Sequence, residues 1–149
     1  MRERRSNWQV DRTSKLLNAW SNVNTRQRSA PSETRPAVMV VEDEVLLRMM
    51  IAEELRRSDL QVIECGTADE ALDVLHSGTP VSTVLSDVRM PGSLDGVKLA
   101  KAVHEEFPGL PVFLTSSLAP PLDTAPHEGF FQKPYDPRVV VRTIKSTMR

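Results

Sequence analysis

The sequence predicts an α/β domain built on a doubly wound, five-stranded parallel sheet over residues 37–149, behind a basic extension, residues 1–36. Three observations carry this: five short apolar runs, amphipathic stretches between them, and junctions marked by Asp, Gly or Pro. Connections this short call for right-handed crossovers, which put helices on both faces of the sheet.

The first run, "AVMVV" at 37–41, is followed by "EVLLRMMIAEELRRS", where Leu47, Ile51 and Leu55 recur at helical spacing. "LQVIEC" precedes "TADEALDVLHS", in which Thr67 and Glu70 form a capping box. "VSTVL" leads into "SDVRMPG" and then "DGVKLAKAVHEEF", with Val97, Ala100 and Val103 on one face and Pro108–Gly109 as the stop. "PVFLTS" and "GFFQ" supply the last two strands, and "DPRVVVRTIKSTMR" closes the domain with Asp136 as cap and Pro137 in the first turn. Strands this short and apolar are expected to be buried on both faces. Between the fourth and fifth strands, Pro120, Pro121 and Pro126 interrupt the stretch where a fourth helix belongs. An interior proline costs a helix about 3 kcal/mol, so that helix is expected to be short, displaced or absent.

A hydrophobic fraction of 40% with 26% charged residues fits a globular chain, and a net charge of -1 gives no general attraction to nucleic acid. Charge is uneven: residues 1–36 hold eight basic against three acidic residues, a net +5, leaving −6 for the remainder. Leu16, Trp20 and Val23 share a helical face there, and "NTRQRSAPSETRP" reads as a linker, so the extension is either a short helix or flexible. Cys65 is the sole cysteine, which excludes an intramolecular disulfide and a cysteine metal cluster and fits a cytoplasmic location. No apolar stretch is long enough to span a bilayer. His76, His104 and His127 lack metal-ligand spacing.

In doubly wound sheets ligands bind at the carboxyl ends of the strands. Read there, the polar residues are Glu42 and Asp43 after the first strand, Asp87 after the third, Thr115 on the fourth and Lys133 after the fifth. Like charges about 4 Å apart cost about 4 kcal/mol at an effective dielectric of 20, so three carboxylates on one rim require a cation. All-oxygen ligands suit magnesium or manganese, and a lysine and a threonine hydroxyl suit phosphoryl oxygens. Together they describe a phosphoryl-accepting site with Asp87 as nucleophile.

Glu42–Asp43, Asp87 in "DVRMPG", Thr115 in "FLTSS" and Lys133 in "QKPY", in this order, resemble the receiver domains of two-component response regulators over residues 37–149. The resemblance implies a flavodoxin-like strand order 2-1-3-4-5, phosphorylation of Asp87 by a histidine kinase or phosphotransfer protein, and Mg2+ held by Asp43, Asp87, the Arg89 backbone carbonyl and, through water, Glu42. It implies a cis Lys133–Pro134 bond, and a switch in which Thr115 moves to the phosphoryl group and Phe130 turns inward. In receivers Arg89 and Ser117 flank the attacking water, and Ser116 leaves room for the donor. The helix after the first strand is too apolar for one buried stripe, and in receivers it docks the kinase, so Val45, Leu46, Met49 and Met50 are the expected partner surface. The expected activity is signalling through an unidentified downstream protein, or draining of phosphate, by a single-domain receiver that is not an enzyme and has no DNA-binding output domain. A phosphorylation-independent interaction module of the same fold is the alternative. An aspartate-nucleophile phosphohydrolase is disfavoured by Arg89 two positions after Asp87, and a nucleotide-binding protein by the lack of a Gly-rich phosphate loop.

Overall fold

The computed structural model describes residues 35–119 and 126–148. The elements run β1 (Ala37–Val41), α1 (Val45–Arg57), β2 (Gln61–Cys65), α2 (Ala68–His76), β3 (Thr83–Asp87), α3 (Gly96–Glu106), β4 (Val112–Ser116), β5 (Gly129–Gln132) and α4 (Pro137–Thr147). All neighbouring strands are parallel, in the order β2-β1-β3-β4-β5. The extension, 1–36, falls almost wholly outside the described residues. So do residues 120–125, where two of the three prolines lie; the flanking residues 117–119 and 126–128 are not helical.

Side chains on a strand alternate between faces, which divides the core in two. Met39 and Val41 of β1 face α2 and α3, packing with Leu75, Leu99, Val103 and Leu114. Val38 and Val40 face α1 and α4, packing with Ile51, Leu55, Phe113 and Ile144. Each such side chain, fully buried, contributes about 1.5–3 kcal/mol. Only the three central strands, β1, β3 and β4, are buried along their whole length. The expectation of double burial fails for β2 and β5, which are half-exposed because each occupies an edge and has a neighbour on one side only. Two helix assignments also shift. On α1 the inward residues are Ile51, Ala52 and Leu55, with Leu47 half-buried, and on α3 Leu99 joins Ala100 and Val103 in the fully buried stripe, while Val97 packs half-buried against the same core.

Helix starts follow their local chemistry. Thr67 accepts a bond from the Glu70 N–H at 3.1 Å, while the Glu70 carboxylate takes the Gly66 N–H at 2.7 Å. Asp95 caps α3 through the Lys98 N–H at 2.8 Å, and Asp136 caps α4 through the Arg138 N–H at 2.9 Å. Gly96 opens α3 directly against the end of β3. A Cβ there would lie 2.0 Å from the Asp87 carbonyl oxygen, and the Gly96 N–H donates to the Val88 carbonyl at 2.9 Å. Gly92, with φ of 114°, turns the loop between β3 and α3 through a conformation that L-residues rarely adopt. Among the described residues, no helix is long and apolar enough to cross a membrane.

Candidate phosphoryl-acceptor site

The parallel sheet aligns the ends of β1, β3, β4 and β5 on one rim. Register pairs Asp87 with Thr115, so the two side chains are cross-strand neighbours, and Ser116 with Gln132, one residue before Lys133. Glu42, Asp87, Thr115 and Ser116 are buried, and Asp43 is exposed. One carboxylate oxygen from each of Glu42, Asp43 and Asp87 lies within 4.8 Å of the others. Lys133 Nζ donates to Glu42 Oε2 at 2.7 Å and lies 3.3 Å from Asp87 Oδ2. The Lys133–Pro134 peptide is cis.

The charges do not balance. Burial pushes the Glu42 and Asp87 carboxyls above their ordinary pKa values, and repulsion adds to it, from Asp87 on Glu42 and from Asp43 on Asp87. Lys133 opposes both shifts without cancelling either. Burial also works against the Lys133 charge, but its bonds and attraction to Glu42 and Asp87 outweigh that and hold its pKa above the usual lysine value. Lys133 gains from two anions, while each anion shares one cation. A cluster of three carboxylates with one ammonium, offering only oxygen ligands, fits a hard divalent cation such as Mg2+.

Other expected residues fall around this rim. The Arg89 backbone beside the Asp87 carboxylate works to lower its pKa, against burial, and Arg89 lines, with Asp43, Met90 and Asp95, an open groove there. Phe130, opposite Leu114 on β5, is half-buried against the α2/α3 core, whereas Phe131 stacks on Phe113 on the other face, centroids 5.8 Å apart. Ser117 is exposed, and the Ser116 hydroxyl accepts the Leu118 N–H at 3.2 Å. Val45, Leu46, Met49 and Met50 are all exposed, Leu46 at 74%. His76 forms an exposed pair with Glu106 at 2.7 Å.

Sequence reasoning missed two residues that shape the rim. Gly96 has only the pattern "DG" at a helix start as its signal, and its need for glycine arises from how closely α3 abuts β3. Arg48, which reaches back from α1 to the Glu42 backbone, reads in sequence as an ordinary polar position on an apolar helix.

A family model described as the response regulator receiver domain matches residues 38–145. Among curated proteins, the chain is 29% identical over 126 residues to the C4-dicarboxylate transport transcriptional regulatory protein DctD of Pseudomonas aeruginosa, a match covering 80% of this chain and 26% of that protein. It is 26% identical to the transcriptional regulatory protein BaeR of Escherichia coli O6:H1, covering 78% of this chain and 50% of BaeR. The chain thus spans half or less of these relatives. Among solved structures, a CheY-like receiver domain protein from Methanospirillum hungatei JF-1 superposes with a TM-score of 0.70 at 21% identity, over 76% of this chain and 94% of that one. The receiver domain of the hybrid histidine kinase CckA does so at 0.65 and 27% identity, over 76% and 99%. The chain belongs to the response regulator receiver-domain family, the phosphoryl-accepting domains of two-component systems.

Proposed function

We propose that Asp87 is the phosphoryl acceptor, and that Asp43, Asp87 and the Arg89 carbonyl, with Glu42 through water, hold one Mg2+. The observation that supports this reading is the junction of Lys133 with Glu42 and Asp87 beside an acidic cluster short of positive charge. Bound there, the ion supplies neutralisation of the incoming phosphoryl oxygens. An Asp87 carboxylate oxygen attacks phosphorus, the P–N bond of a phosphohistidine breaks with its electron pair left on the imidazole nitrogen, and an acyl phosphate forms on Asp87. Lys133 Nζ and the Thr115 hydroxyl then hold phosphoryl oxygens. Withdrawal of Thr115 toward them opens space for Phe130, which couples the site to the outer face of β5.

The donor is a histidine kinase or phosphotransfer protein, docked on the exposed Val45, Leu46, Met49 and Met50 of α1, in the cytoplasm. We read the chain as a stoichiometric acceptor rather than an enzyme, with its output through contact with a downstream protein or through phosphate drainage. Incubation with acetyl phosphate and Mg2+ tests the core of this reading. The wild-type mass rises by one phosphoryl group, and EDTA or Asp87→Asn abolishes the gain. Equal modification of Asp87→Asn would refute the assignment.

A further inference from the structure

Arg48 is a largely buried cation that the phosphoryl chemistry does not use, its side chain 18% exposed. From the first turns of α1 it runs back toward the sheet. Its Nη1 donates to the Glu42 carbonyl oxygen at 2.6 Å, and its Nε lies 3.5 Å from Glu64 Oε2 on β2. The other Glu64 oxygen takes Arg56 Nη2 at 2.6 Å, so the carboxylate is fixed between two guanidinium groups.

Glu42 is thereby held at four points. Its N–H donates to the Cys65 carbonyl at 3.1 Å, Oε1 accepts the Glu44 N–H at 3.3 Å, Oε2 accepts Lys133, and the carbonyl accepts Arg48. The last contact differs in kind. The Glu42 carbonyl belongs to the planar peptide that leads into Asp43, so fixing that oxygen fixes the direction in which the Asp43 Cα departs. Asp43 is the exposed member of the acidic cluster, and no side-chain bond of its own orients it among those of the described residues.

We propose that Arg48 is a positioning residue for the divalent cation: by clamping the peptide between Glu42 and Asp43 it sets the Asp43 carboxylate against Asp87. This rests on the Mg2+ reading above. Charge and position pull in opposite directions here. A nearby guanidinium repels Mg2+, so if charge alone mattered, its removal would tighten binding. If position dominates, removal weakens binding, and groups that orient metal ligands are typically worth about 10–100-fold in affinity.

The test is an NMR titration of the full chain with MgCl2, following the Val88 and Arg89 amides, with chemical denaturation run in parallel. Arg48→Met is expected to raise the Mg2+ Kd by about 10-fold or more. Arg48→Lys, which keeps one donor for the carbonyl, recovers most of that loss, as no general loss of stability would. Should Arg48→Met fail to fold, Glu64→Gln, which frees the guanidinium from its anchor, weakens binding in the same direction at high salt, where the unpaired charge is screened. Unchanged or tighter Mg2+ binding by Arg48→Met, or by Glu64→Gln in its place, overturns the proposal. Failure of the wild type to bind Mg2+, or binding by Asp43→Asn equal to wild type, removes the metal reading itself, and this inference with it.

Discussion

Replacement of Gly96 by alanine adds one methyl group at the point where α3 meets the end of β3. The new Cβ would stand 2.0 Å from the Asp87 carbonyl oxygen and 2.9 Å from the Val88 Cα, against an ordinary contact of 3.4–4 Å. Both obstacles are backbone, so no side chain can swing away, and α3 must retreat by well over an ångström. That retreat breaks the Gly96–Val88 hydrogen bond, worth about 0.5–1.5 kcal/mol. It also disturbs the packing of Leu99, Ala100 and Val103, and overpacking of this kind costs about 1–3 kcal/mol. Alanine returns up to about 1 kcal/mol through helix propensity, less in the first turn than in the interior. The net expectation is a loss of about 1–4 kcal/mol, which lowers Tm by at least about 3 °C for a domain of this size. Urea and thermal melts measure it, with Gly66→Ala as control, since a Cβ at Gly66 meets nothing nearer than 3.8 Å. Because the clash falls on the backbone of Asp87 itself, phosphoryl uptake from acetyl phosphate should slow as well. A Gly96→Ala protein within about 0.5 kcal/mol of wild type, the range of an uneventful surface change, would refute the reasoning.

Other perturbations give equally definite outcomes. Without Mg2+, stability should fall as pH rises above the ordinary carboxylate values of 3.8 and 4.5, because groups with raised folded-state pKa values, Asp87 and Glu42, lose their protons at a cost in the folded state. The raised value of Lys133 adds nothing to that slope, since its contribution is lost only above 10.5. Asp87→Asn should therefore raise the metal-free Tm near neutral pH and flatten the slope, and a lower Tm in thermal melts would contradict the charge imbalance. Thr67→Ala removes the α2 cap and should cost about 1 kcal/mol in denaturant melts. Cys65 is 1% exposed and burial pushes its thiol up to about 11, so a thiol reagent at pH 8 should react with it far more slowly than with the unfolded chain.

Much of this was legible in the sequence, for reasons that particular residues make plain. "AVMVV" and the "VFL" of "VFLTS" announce buried strands because each of those side chains needs apolar company, and the polar residues that end such runs had to lie on the rim. Thr67 and Glu70 specify a helix start within four residues, with no help from the rest of the fold. The sequence pattern could not separate edge strands from central ones, because "QVIEC" and "GFFQ" are nearly as apolar as the others and strand order is decided by pairing. Val97 and Leu99 both pack on the α2/α3 core, and the angle at which α3 lies on the sheet makes Leu99 the more deeply buried of the two. Arg48 and Gly96 escaped notice for a related reason: each is defined by a contact with a backbone atom whose place depends on tertiary packing.

The bond from Lys133 to Glu42 joins residues 91 positions apart. It closes only once β5, a four-residue strand on the sheet's open edge, is seated on β4. The acidic rim is therefore complete only while this edge strand stays paired. Each time the edge strand peels from its neighbour, Lys133 leaves with it, and two buried carboxylates are left facing one another without their ammonium. Opening of β5 would thus take the ammonium out of the rim, and amide exchange along β5 should report how often that happens.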